Sequence, residues 1–181
     1  MENDIAVNNT VSELITAVRQ ALANKNWFAA LTVVLTLPDI CAKIDGSFGD
    51  LSSIRYPAWY EKYVVKPVCE EKQVTTAYDF FSANDCYALR CAFLHEGNMN
   101  IAGQKAQESI HNFCFDVSTQ TLWGIKTDEE RVTIKLSLEH FCDDICKGVE
   151  TWLFEKHLDR CIIDKLACLP RFQVLHESES L

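Results

Sequence analysis

The sequence predicts a mostly α-helical bundle with one small antiparallel β-hairpin inserted before the last long helix. Three observations carry this. Apolar residues recur at three- and four-residue spacing through most of the chain, while only two short stretches alternate apolar with polar residues. Six Gly and four Pro in 181 residues are too few for a loop-rich all-β fold. With 48% hydrophobic and 24% charged residues the chain can bury a sizeable core, and its length suits a single domain, residues 1–181, ending in a polar acidic tail from about residue 170.

Thr10 with Glu13 forms a capping-box pattern before VSELITAVRQALAN, where Val11, Leu14, Ile15, Val18 and Leu22 keep helical spacing. A second apolar helix runs from Trp27 to Thr36. Pro38 kinks or restarts it, and DICAKID ends at Asp45-Gly46. GSFGDLSS is a loop. Pro57 then suits the first turn of a short aromatic helix that Pro67 closes. Ser82 with Asp85 starts SANDCYALRCAFLHEGN, with Cys86, Leu89, Ala92 and Phe93 on its inner stripe and Gly97 as a left-handed stop. HNFCFDV and RVTIKLSL read as strands that pair as a hairpin over the polar STQTLWGIKTDEE. Ser137 precedes a helix from Leu138 to about Leu166, with Phe141, Ile145, Val149, Trp152 and Leu153 inside and Gly148 weakening its continuity.

The formal charge of −9 argues against binding nucleic acid by bulk electrostatics and leaves room only for a local, Arg-centred site. MENDIAVNN has no basic stretch followed by an apolar one, so no export signal is expected. The run Trp27–Leu37 is too short and too Thr-interrupted to span a bilayer. Nine scattered cysteines then read as reduced thiols in the cytoplasm, most of them buried hydrophobes. Cys142 and Cys146 beside His140 lack zinc-ligand spacing and share a helix face, so neither metal nor other cofactor is expected. No Gly-rich phosphate loop, Ser-His-Asp order or nucleophile elbow occurs.

The segment with chemical content is DCYALRCAFLHEGN, where Arg90 and His95 are separated by four residues near the Gly97 stop. An Arg offers a planar charge matched to phosphate oxygens, and a His transfers protons near neutral pH. Five α-helical steps leave the two groups about 140° apart, so they meet only if the helix unwinds near His95 or a second copy supplies the partner group. The same spacing recurs at Arg171 and His176, but in the acidic tail with no helix to orient it.

The Arg-x4-His motif, the helices flanking it and the all-α outline resemble the HEPN family (higher-eukaryote and prokaryote nucleotide-binding domains). The resemblance implies a metal-independent ribonuclease, acting as a homodimer with the motifs at the interface. Arg90 would then hold the scissile phosphate and His95 would act as general acid and base, with Asn98, Glu96 and Tyr87 near the substrate. Many active members carry a polar residue after the Arg, where this chain has Cys91. The alternative is an inactive HEPN-like module that forms a dimer or binds a partner protein. A third reading makes Cys91 a redox sensor. The aromatic group Tyr56, Trp59, Tyr60 and Tyr63, with Arg55, Lys62 and Lys66 beside it, admits base stacking or core packing.

Overall fold

The computed structural model describes residues 10–72, 82–118, 123–128 and 131–171. The fold is mostly helical with a small three-stranded sheet. Helix α1 (Thr10–Ala23) turns through left-handed Lys25 into α2 (Trp27–Val34), whose first turn is capped by the Asn26 side chain. Thr10 is itself the first helical residue, and its hydroxyl donates to the Pro170 carbonyl at 2.7 Å rather than standing as the expected cap.

Pro38 sits in the first turn of α3 (Leu37–Asp45), which ends at left-handed Gly46 as expected. Trp27–Asp45 is apolar enough, at a mean hydropathy of 1.6, to cross a membrane by length and composition, although half of that window is buried inside the fold. The restart near Pro38 divides it into two helices whose apolar residues line the core.

Pro57 does not open its helix, and Pro67 does not close it. Helix α4 (Ser52–Tyr60) contains Pro57, passes into a π-helical turn at Glu61–Val65 and continues as α5 (Lys66–Lys72). Pro67 lacks an N–H for the Tyr63 carbonyl, and its ring crowds that carbonyl. The wide turn accommodates both effects without ending the helix. The aromatic group on this helix is core: Tyr56, Trp59 and Tyr60 are fully buried, Tyr63 nearly so, and Tyr56 stacks on Tyr60 at 6.1 Å. None of these four faces solvent for base stacking.

Helix α6 (Ala83–Cys91) starts at Ser82 and Asp85 as expected, and the two side chains form a capping box. The Asp85 carboxylate does more than cap. Fully buried, it also accepts from the backbone N–H groups of Glu108 (2.7 Å) and Ser109 (3.2 Å), pinning a distant loop.

The expected hairpin is corrected. β1 (Asn112–Asp116) and β3 (Arg131–Ser137) do pair, but in parallel, with Phe113 opposite Ile134. A further strand, β2 (Trp123–Asp128), lies in the stretch expected to be a loop and pairs antiparallel to β3, with Ile125 opposite Ile134. The sheet order is β1-β3-β2. Only two residues separate β2 from β3, so those two form the hairpin and β1 is left the other edge of β3.

Ser137 caps α7 (Leu138–Lys156) through the His140 N–H. The single long helix expected here is two. It breaks at Asp159, whose carboxylate caps α8 (Arg160–Ala167) through the N–H groups of Cys161 and Ile162. Gly148 does not interrupt α7. Instead, a β-carbon there would sit 2.7 Å from the Tyr63 carbonyl oxygen, so the glycine lets α7 approach the π-helical turn. Trp152 of α7, fully buried, donates its indole N–H to Asp45 at the end of α3.

Candidate functional site at the end of helix α6

Beyond Cys91 the helix widens into a π-helical turn, Ala92–Glu96, which stops at left-handed Gly97. In a π turn the backbone bonds run from residue i to i+5, so residues five apart lie much closer to one face than they do in an α-helix. This answers the geometric problem posed by the motif. The helix underwinds locally around His95, the first of the two expected routes, and Arg90 Nη1 lies 3.2 Å from His95 Nε2 within one chain. A guanidinium only donates, so in this contact Nε2 is the acceptor. His95 is exposed and Arg90 is half-buried beneath it.

Two further residues, which sequence reasoning did not place here, complete the site. Asp39 of α3 lies with one oxygen 3.6 Å from Arg90 Nη2 and the other 2.8 Å from Arg55 Nε on α4. The second contact is close in distance without hydrogen-bond alignment. Arg55 also donates through Nη1 to the Asp50 carbonyl. All three side chains of this ion network are less than one-fifth exposed. Two guanidinium groups around one carboxylate leave the site one positive charge in excess on an acidic protein. Arg90 Nε is buried with no hydrogen-bond partner. The arrangement presents a fixed cation beside a proton-accepting nitrogen at the surface.

The chain matches no family model, no curated protein and no solved structure.

The remaining candidate residues divide. Asn98 accepts from the Asn100 N–H at 3.0 Å, bracing the turn after Gly97. Glu96 accepts from the Gln104 side chain at 2.8 Å. Tyr87 bonds Ser52 through its hydroxyl at 3.0 Å and lies 5.5 Å from the Tyr56 ring, and its burial pushes the hydroxyl pKa up. Tyr87, Cys91 and Glu96 line a groove on the face of α6 next to the Arg90–His95 face.

Among the described residues no group of three or more His, Cys, Asp and Glu is arranged to hold a metal ion. Cys142 and Cys146 are buried, and burial pushes both thiols well up, that of Cys146 to about 12. His111 Nδ1 accepts from the Val132 N–H, tying the segment before β1 to β3. His176 of the second Arg-x4-His pair lies outside the described residues.

Proposed function

We propose that this protein is a HEPN-like metal-independent endoribonuclease, cytoplasmic and dimeric, with Arg90 and His95 as its catalytic pair. The observation that supports the reading best is the 3.2 Å contact between a donor-only guanidinium and an exposed imidazole nitrogen. When an RNA phosphodiester reaches the site, its oxygens take the guanidinium, and Nε2 is released to accept the 2′-hydroxyl proton. The 2′-oxygen attacks phosphorus and the bond from phosphorus to the 5′-oxygen breaks. That oxygen takes a proton from the imidazolium of a second copy. The products are a 2′,3′-cyclic phosphate and a 5′-hydroxyl, and every atom is accounted for without a co-reactant. Arg90 offsets the charge that builds on the phosphorane, and Asp39 holds Arg90 in place from behind.

One observation favours a second reading, a non-cleaving HEPN-like module that binds a second copy or a partner protein. Arg90 already has two neighbours, Asp39 and His95, which reduce the charge it offers a phosphate. Incubation of a mixed RNA pool in EDTA with wild type and His95→Ala separates the two. The nuclease reading expects cyclic-phosphate ends from wild type and a loss of about 100-fold or more in the variant. Undiminished cleavage by His95→Ala refutes it. Intact RNA with both proteins favours the module, for which light scattering then reads the oligomeric state.

A further inference from the structure

The groove beside the Arg90–His95 pair has a chemistry of its own. The π turn keeps two rows of α6 in register: His95 follows Arg90 by five residues, and Glu96 follows Cys91 by five. In the first row Arg90 lies 3.6 Å from Asp39. The second row, continued by Tyr87, forms one wall of an open surface groove of about 750 Å3. The far wall is the segment from Gly103 to Ser109, and four bonds fix it. The buried Asp85 carboxylate takes two backbone N–H groups of that segment, Gln104 bonds Glu96 at 2.8 Å, and Asn84 bonds Glu108 at 2.7 Å.

The lining decides what fits. One cation, Lys105, stands against the carboxylates of Glu96 and Glu108, so the groove repels phosphate. The Gln107 amide offers donor and acceptor, the amides of Asn84 and Gln104, already donating to Glu108 and Glu96, offer their oxygens, and Tyr87 adds part of an aromatic ring. A neutral, planar ligand with donors for the carboxylates satisfies this set, and a nucleobase with an exocyclic amine is such a ligand.

We propose that this groove is a subsite for one unpaired base bearing an exocyclic amine (adenine, cytosine or guanine) whose phosphodiester lies on the adjacent Arg90 and His95. The inference rests on the reading of the site as RNA-binding, and it selects the RNA by its base. The carboxylates of Glu96 and Glu108 accept from the amine, the amides read the rest of the base edge, and uracil, with carbonyls in place of the amine, binds poorly.

The test measures binding by His95→Ala protein, so that it does not depend on cleavage. Short labelled homopolymers of A and C are expected to bind about tenfold more tightly than one of U. A β-carbon at Gly103 would meet nothing within 4 Å and Gly103 lines the groove, so Gly103→Phe adds a ring at the groove wall and is expected to abolish the difference. Glu108→Lys keeps the backbone bond to Asp85 and is expected to reverse the preference, which covers the case in which Gly103→Phe misfolds. Free adenosine, cytidine and uridine form a second arm, read by amide shifts around Gln107. The same order among free nucleosides supports a pocket that reads the base alone. An order among the homopolymers only supports a base read while tethered to the Arg90-bound phosphate. Equal binding of A, C and U in both arms overturns the proposal, as does a preference that survives both variants. Wild-type cleavage that ignores base identity likewise overturns the groove while leaving the nuclease reading intact.

Discussion

Replacing Gly148 by alanine tests how α7 packs on the helix that carries the aromatic core. A β-carbon at 148 would lie 2.7 Å from the Tyr63 carbonyl oxygen, 3.1 Å from Val64 Cγ2 and 3.2 Å from the Tyr63 carbonyl carbon. An ordinary contact begins at 3.4 Å, so the shortfall is 3.4 − 2.7 = 0.7 Å. The obstacle is backbone, held in the π-helical turn that accompanies Pro67, and it cannot rotate away as a side chain would. In an unobstructed helix, glycine to alanine stabilises by about 1 kcal/mol. Overpacking a core costs about 1–3 kcal/mol, and a backbone obstacle places the cost in the upper half of that range. The net expectation is a destabilisation of about 1–2 kcal/mol, or a fall in Tm of about 2–8 °C for a chain of this size. Urea unfolding followed by far-ultraviolet circular dichroism measures it. Stability equal to or above wild type would refute the close approach of α7 to Tyr63.

Other substitutions test the site and its supports. Asp39→Asn removes the charge between Arg55 and Arg90, and with these side chains mostly shielded from water it is expected to cost about 2 kcal/mol in urea unfolding. If the nuclease reading holds, it also lowers cleavage by releasing Arg90. Asp85→Ala leaves the N–H groups of Ser82, Glu108 and Ser109 without their carboxylate; a loss of about 3 kcal/mol is expected, with faster amide exchange at Glu108 and Ser109. Asp45 predicts an acid dependence. Burial raises its carboxyl pKa, but hydrogen bonds from Ser47, Trp152 and Lys156 outweigh burial, and the net value lies below the usual 3.8. A depressed folded-state pKa contributes stability that is full above about pH 4 and lost as pH falls further. Unfolding free energy measured against pH should therefore fall less steeply in acid for Asp45→Asn than for wild type.

Much of the helical frame can be read from local sequence, because the signals lie within a turn or two of each other. The apolar spacing of α1, the Ser82–Asp85 capping box and the stops at Gly46 and Gly97 are of this kind. Strand β2 had a local signal as well. Trp123, Ile125 and Thr127 alternate with Gly124, Lys126 and Asp128, but a short and polar run resembles a loop. The break at Asp159 was similarly present as a capping residue inside an otherwise periodic stretch. No local rule indicated that β1 would run parallel to β3, since the pairing follows from which edge of β3 the β2 hairpin leaves open.

The candidate site shows the same division. The sequence by itself determined that an arginine and a histidine stand five apart just before a helix-stopping glycine, and that Asp85 starts that helix. Only the tertiary structure decided that the helix widens by one residue, which turns a separation of about 140° into a 3.2 Å contact. Only the tertiary structure could bring in Asp39 and Arg55, from two other helices, because a carboxylate finds its cations through space once apolar burial has fixed where the helices lie.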